Sequence, residues 1–301
     1  MKQFPNIMNP EDKEKWITAG KIASEVREWS KSLIIPGAKL LDIANAIEHK
    51  IREKGVFPAF PVNLSLNEIA AHYTPVLNDS IVLSDQILKV DIGVCYEGAI
   101  GDTAYTVDLS GTRTKLVEAS HQALANAMKI LKIGLPIAEI GRVVEETITS
   151  YGFQPIRNLS GHGIALYQIH TGPSIPNYDT KEKIVLEKGM IIAIEPFASS
   201  GEGRIKDGGD VVIFEEISHR PVRSPLARQM LRDIEEFQHV PFARRWLDEK
   251  YSVNKVSLAL QQLKMNGNVQ GHAPLVEISK GMVSQAEHTF LIDDVVVCLT
   301  K

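Results

Sequence analysis

The chain has 301 residues, 44% of them hydrophobic and 23% charged, enough to bury a core in one large domain or two. A net charge of -4 gives no general attraction to nucleic acid or to an anionic membrane. No apolar run reaches the ~18 residues of a membrane span, and the polar start lacks a secretory apolar stretch, so a cytoplasmic protein is expected.

Asn9-Pro10-Glu11-Asp12 reads as a helix start: a capping side chain, a proline in the first turn, then acids facing the positive end of the helix dipole. That helix is expected to run to about Leu33. Leu41, Ala44, Ile47 and Ile51 recur at helical spacing until Gly55 ends a second helix, and VFPAF follows. Next comes ILKVDIGVCYEGAIGDTAYTV, two apolar runs around Tyr96-Glu97-Gly98 that predict a hairpin. A two-residue loop at Tyr96-Glu97 sets Asp91 directly across from Asp102, whereas one at Glu97-Gly98 leaves them diagonal on the same face. Either way, two like charges in an apolar hairpin destabilise it unless a cation joins them.

A similar unit then returns: a helix from Lys115 to Leu131, the break IGLP, a helix carrying Ile140, Val143, Val144 and Ile148, a stop at Gly152, and FQPI. Ile43, Gly55 and Pro58 match Ile140, Gly152 and Pro155 at a constant offset of 97, which predicts two structurally related halves. KGMIIAIE (188–195) and KGMVSQAE (280–287) share one frame, each reading as a glycine turn that enters a strand with a carboxylate inside. Glu195 follows four apolar residues, and an unpaired buried carboxylate is very costly, so something positive should meet it. Between the two copies, from about Ser218 to Gly271, three helical patterns form a mildly basic stretch, with nine Lys or Arg against five Asp or Glu from Arg220 to Lys264. Such a stretch fits a nucleic-acid module or a solvated lid, and the lid is favoured because no aromatic or glycine-rich surface accompanies the charge.

Asp91, Asp102, Glu195 and Glu287 thus place four carboxylates in strands. Two divalent cations would balance them, and mixed carboxylate and imidazole ligation suits Mn, Co, Fe or Zn. Of the nine histidines, His49, His121 and His239 sit in polar helical patterns, while His219 and His272 border the basic stretch and fit either role. His162 lies in SGHGIALYQIH, where glycines on both sides let the backbone approach a ligand closely. His170 closes that segment, and a spacing of eight puts both rings on one side of an extended stretch. His72, in NEIAAHYTP, reads by itself as a structural hydrogen-bonding residue. Cys95 and Cys298 are too few for a disulfide framework and read as core residues.

Five stretches in this order, AFPVNLSLNEIAAHYTP, KVDIGVCYEGAIGDTAYTV, NLSGHGIALYQIHTG, GMIIAIEPF and SQAEHTF, resemble methionine aminopeptidase of type 2 in its short, archaeal-like form. The resemblance covers nearly the whole chain. It implies an α+β pita-bread fold over residues 1–301: a curved antiparallel sheet, helices outside, pseudo-twofold halves, and a helical insert at 218–271. It implies two divalent ions (Co, Mn, Fe or Zn) on Asp91, Asp102, His162, Glu195 and Glu287, with Asp102 and Glu287 bridging. His72, His170 and Glu195 become the catalytic groups, and Phe60 and Ile169, with His72 and His170, the substrate contacts. The activity implied is removal of N-terminal methionine ahead of a small second residue, from nascent chains at or off the ribosome, by a monomer with no membrane or specific nucleic-acid partner. Gly271-His272-Ala273-Pro274 departs from the Tyr-Pro that such enzymes often carry, which leaves the role of His272 open. Two alternatives stand beside this one. A proline-specific peptidase of the same fold usually has a large extra N-terminal domain and a His-Glu pair where this chain reads His170-Thr171. A non-catalytic binding protein of that fold has typically lost metal ligands.

Overall fold

The computed structural model describes residues 10–301. Helix α1 spans Pro10–Ser30 and is followed by one 3-10 turn, Lys31–Leu33, so it stops where the sequence suggests, while the Asn9 cap lies outside the described residues. Helix α2, Leu40–Glu53, buries Leu40, Ile43, Ala44, Ile47 and Ile51, one apolar stripe at helical spacing. Helices α3 (Thr114–Ile130) and α4 (Ile137–Ser150) follow the first hairpin.

The main sheet has nine strands, numbered here along the chain: β1 Phe57–Pro58, β2 Asn63–Leu66, β3 Ile87–Tyr96, β4 Ala99–Asp108, β5 Ser160–Ala165, β6 Gln168–Pro176, β7 Ile191–Ile194, β8 Glu287–Leu291 and β9 Val297–Cys298. Its spatial order is β1-β3-β4-β8-β7-β5-β6, with β2 also on β3 and β9 also on β8, and its paired strands are antiparallel. Strand β8, central in this order, is thereby the seam between two halves.

Those halves repeat one plan. Adding 97 to the bounds of Leu40–Glu53 gives those of Ile137–Ser150, and adding it to Phe57–Pro58 gives the short strand Gln154–Pro155. Gly55 and Gly152, past the two helix ends, both have positive φ, at 76° and 85°. One core cluster joins α2 to Leu64, Leu88, Val90, Ile92 and Val94; a second joins α3 and α4 to Ile192, Ile194, Phe290 and Ile292. In both, even-numbered strand residues face the helices, so by the two-residue period of a strand the odd-numbered residues of β3 and β7 face the opposite, concave side. Asp91 belongs to that side, and Glu195 follows the parity of Ile191 and Ala193.

Residues 213–272 are more than the expected helices. Helices α5 (Pro225–Ile234), α6 (Arg244–Asp248) and α7 (Val253–Met265) pack on a three-stranded sheet, Ile213–Glu216 between Phe242–Ala243 and Val269–His272, around a separate apolar core including Met230, Phe242, Leu247 and Leu263. The segment PFARRWLDEKY, which reads as one helix, begins as a strand instead, because Phe242 pairs with Phe214 at the base of that core. Nor is this a loose lid. The fully buried Arg245 of α6 pairs with Glu48 of α2 and also donates to Thr74 Oγ1 at 2.6 Å, while Trp246 Nε1 donates to Glu48 Oε2 at 2.7 Å.

The two KGM copies are not structural equivalents. In the first, Gly189 turns with φ 89° into β7, and Glu195 stands one residue past its end. In the second, the positive φ falls on Lys280 (66°), and the chain enters Val283–Gln285, a strand of a different sheet paired with Phe197–Ser199, before Glu287 opens β8. A Cβ on Gly281 would lie 2.2 Å from the backbone N of Gly201, so that copy needs glycine for close approach, not for φ.

Candidate metal centre

The first hairpin turns over Glu97-Gly98, both with positive φ (48° and 89°), as a two-residue turn of the I′ kind requires. Tyr96 therefore pairs with Ala99, Asp91 with Ala104 and Asp102 with Gly93, which makes the two aspartates diagonal. Glu287 of β8 also pairs with Ala104, so one small side chain separates Asp91 from Glu287 across three strands. His288 pairs with Ile194 and His162 with Ala193, which brings Glu195 and His162 onto the same face. Antiparallel register alone thus collects five side chains from β3, β4, β5, β8 and the end of β7.

His162 and His170 meet differently from expectation. SGHGIALYQIH is not one extended stretch but the hairpin β5–β6, and the rings face each other across it, 4.4 Å between centroids at 73°. The flanking glycines serve the backbone rather than a ligand: a Cβ on Gly161 would lie 2.2 Å from Ala193 O, and one on Gly163 2.2 Å from Gly172 O. His72 follows the short strand Ile69–Ala71 with φ 62°, an uncommon conformation for a non-glycine residue. It lies 5.8 Å, ring to ring, from His272, whose Nε2 is 3.1 Å from Glu215 Oε2.

A cavity of about 260 Å³ opens on this face, and Phe60, His72, Asp91, Asp102, His162, Ile169, His170, Glu195 and Glu287 all line it, as do Ile213, Pro241 and His272 from the 213–272 segment. All nine site residues named from the sequence are therefore brought together. A roomier cavity of about 530 Å³ lies elsewhere, between α2 and the 213–272 segment, and contains none of the nine. A Cβ on Gly93 would overlap the Phe60 ring at 2.2 Å, so that glycine makes the room in which the ring forms an apolar wall.

The electrostatics of these side chains call for a cation. Asp102 and Glu287 are almost fully buried, and among the described residues no Lys or Arg forms an ion pair with any of the four carboxylates. In place of the positive partner expected for Glu195 there is an imidazole: His162 Nε2 stands 3.7 Å from both Asp102 Oδ2 and Glu195 Oε1. Among the described residues, Oδ1 of Asp91 and Oδ1 of Asp102 have no hydrogen-bond partner. Burial, and then the neighbouring carboxylates, hold Asp102, Glu195 and Glu287 well above the ordinary carboxylate range, and burial pushes Asp91 up to about 7. Burial and the adjacent His170 push His162 down to about 3, which keeps its ring neutral. With Nδ1 3.2 Å from Gly163 O, the tautomer that donates there leaves Nε2 as a free lone pair among the acids.

Asp102, His162 and Glu287 offer donor atoms all within 4.8 Å of one another. Orphaned carboxylate oxygens, one imidazole nitrogen and no internal cation fit divalent metal. A model of metallopeptidase family M24 matches residues 14–218, more than half of the chain. The chain belongs to family M24. Within it, the chain groups with the methionine aminopeptidases: the enzyme of that name from Methanocaldococcus jannaschii is 46% identical over 289 residues, covering 95% of this chain and 97% of the relative. It is therefore a metallopeptidase, a hydrolase of the aminopeptidase kind. The crystal structure of methionine aminopeptidase from Thermotoga maritima superposes with a TM-score of 0.73 at 25% identity, over 99% of this chain and 100% of that one. The structure of a thermophilic Arx1 reaches 0.84 at 16% identity over 97% and 91%, which speaks for the pita-bread fold alone. The M24 match ends at residue 218, where the separately cored segment is under way.

One buried residue of this M24 site escapes sequence reasoning. Gln285 is 1% exposed and its Nε2 lies 3.4 Å from Glu195 Oε2 and 3.3 Å from Glu287 Oε2. Its sequence signal was its place two residues before Glu287, but the contact is made where the chain passes from one sheet to the next. His272, left open by the sequence, lies in the cavity wall; His219, its companion at the border of the segment, does not.

Proposed function

We propose that this enzyme removes the N-terminal methionine from peptides and nascent chains with a small second residue, using two divalent ions held by Asp91, Asp102, His162, Glu195 and Glu287. The observation that carries this reading is the single cavity shared by an apolar wall, neutral imidazoles and four carboxylates without an internal cation. Divalent ions bound there would supply the positive charge that makes water acidic enough to attack near neutral pH and polarises a carbonyl.

The chain's own residues set up the rest. Phe60 and Ile169 offer an apolar slot suited to an unbranched thioether side chain. Desolvation of the His170 ring and the nearby His272 lower its basicity, which favours the neutral ring that can offer an N–H to the carbonyl oxygen as charge develops there. His72, pushed down to about 3 by burial and then by His272 and His170, is likewise a neutral donor or acceptor for the scissile amide. Glu195 relays the proton of the attacking water to the leaving nitrogen. His272, oriented by Glu215, faces the substrate from the 213–272 side. We take residues 1–301 as one catalytic unit with 218–271 as an insert, acting as a cytoplasmic monomer.

The test is methionine release from Met-Ala-Ser by protein stripped with chelator and then titrated with Mn or Co. Release that returns only with metal, with no cleavage of an Xaa-Pro dipeptide or of an N-acetylated peptide, supports the proposal. Cleavage of Xaa-Pro instead would move the assignment to a proline-specific peptidase.

A further inference from the structure

The amide of Gln285 joins two of the four acids. Its single NH2 group carries two donors, and Nε2 lies 3.4 Å from Glu195 Oε2 and 3.3 Å from Glu287 Oε2, spanning the end of β7 and the start of β8. The opposite oxygen of Glu195, Oε1, faces His162 Nε2 at 3.7 Å. Among the described residues the buried Oε1 of Gln285 has no hydrogen-bond partner. Turning the amide over would set that oxygen against the acids, so the acids decide which way it points. A buried acceptor left unpaired is a cost that calls for a compensating role.

The backbone of Gln285 is tied to the strands that deliver three of the acids. Its N–H donates to Thr106 Oγ1 at 2.8 Å, and that hydroxyl donates to Gln285 O at 2.6 Å; Thr106 lies in β4, four residues after Asp102. Gln285 pairs with Phe197, two residues after Glu195, and itself precedes Glu287 by two. The matching place in the first KGM copy holds Ala193, so the shared frame does not by itself demand an amide.

Resting on the metal reading above, we propose that Gln285 is a positioning residue of the metal centre, holding the Glu195 and Glu287 carboxylates at a fixed spacing so that they receive divalent ions. Like charges brought from separate strands repel, and a donor placed between them opposes their turning apart. Groups that hydrogen-bond a metal-ligating side chain orient it in this way. Both contacts are longer than the ~2.9–3.0 Å common for N–H···O, and both engage Oε2 only, so the amide orients each acid and leaves Oε1 to other partners. Gln285 is not among the residues lining the cavity, so it acts through the acids and not on the substrate.

The experiment measures Mn binding to chelator-stripped protein by titration calorimetry, and the visible absorption spectrum of the same protein saturated with Co. Gln285→Met keeps the length of the side chain and removes the donors; Gln285→Asn keeps the amide but draws it back by one methylene. Both are expected to weaken Mn binding about 10–100-fold and to alter the cobalt spectrum. Thr106→Val, which removes the hydroxyl that grips the Gln285 backbone, should weaken binding by a smaller factor and add little to Gln285→Met, since both act on one contact. Near-UV circular dichroism of each metal-free variant shows that it is folded, and if Gln285→Met is not, Gln285→Asn decides. Wild-type affinity and an unchanged cobalt spectrum in the folded Gln285 variants would overturn the proposal and leave Gln285 a packing residue. Wild-type affinity in Gln285→Asn alone would do the same, because the shortened amide no longer reaches both acids. A wild-type protein that binds no Mn would overturn the metal reading together with this one, so the two failures are told apart.

Discussion

Glu48 and Glu287 are buried to nearly the same degree, 2% and 1% exposed, yet they are opposite cases of a buried carboxylate. Glu48 has its counterion built in: Arg245 pairs with it, and Trp246 Nε1 and the Val62 N–H donate to it. Glu287 has three other carboxylates for company and one weak amide contact from Gln285. A satisfied buried charge fastens one part of the molecule to another. An unsatisfied group of them makes the folded protein depend on something it must bind, and a peptidase can use that dependence by letting the same ions do chemistry.

The sharpest way to break the contrast is to neutralise a member of each group. Asp102→Asn should lower methionine release by more than the roughly 10–100-fold typical of groups one step removed from a metal. The same substitution should raise the melting temperature of the metal-free protein, because it removes one charge from a repelling cluster. Arg245→Ala should do the reverse for stability, costing about 3–5 kcal/mol in denaturant unfolding by leaving Glu48 buried and unpaired. If Asp102→Asn melts lower than wild type without metal, the four acids are internally compensated and the contrast fails.

His170→Ala should reduce kcat about 10²–10³-fold with metal content unchanged, the scale expected for one donor to a developing oxyanion. A change confined to KM would place His170 in substrate binding only. The metal-free protein should also lose stability as pH rises. Because folding raises the affinity of Asp91, Asp102, Glu195 and Glu287 for protons, their contribution is present below about pH 4, where unfolded carboxylates titrate, and is lost as pH climbs through the folded value, about 7 for Asp91. Thermal melts between pH 4 and 8 should show this decline in stripped protein and a smaller one after metal is restored. The smallest effect expected is at the rim: His272→Ala should change KM for peptides by less than tenfold, with kcat nearly kept, since His272 reaches the cavity from the 213–272 side without touching the carboxylates.

Much of this molecule was open to reading from the chain. The 97-residue offset, read from three matched positions, also relates the bounds of α2 and α4, because helix stops and apolar stripes are local signals, written within a turn or two of each other. The four acids of the candidate metal centre were recognisable because acids in apolar strands are costly enough to be conspicuous, whereas His162 joined them only through the family resemblance. Local periodicity did not reveal that His162 and His170 meet across a hairpin, that the second KGM segment passes from one sheet into another, or that Phe242–Ala243 is a strand at the base of a separate core. It also could not find Gln285, an unremarkable amide in a strand until two carboxylates are brought against it.

The sequence by itself determined which groups are present and which face of its own strand each one takes, since strand alternation is a property of consecutive residues. Tertiary structure decided which strands lie side by side: β8, almost two hundred residues after β4, pairs with it and carries Glu287 to Ala104. Register between distant strands is fixed by the fit of both faces at once, helices on one side and the cavity on the other, and no short stretch of sequence contains that constraint.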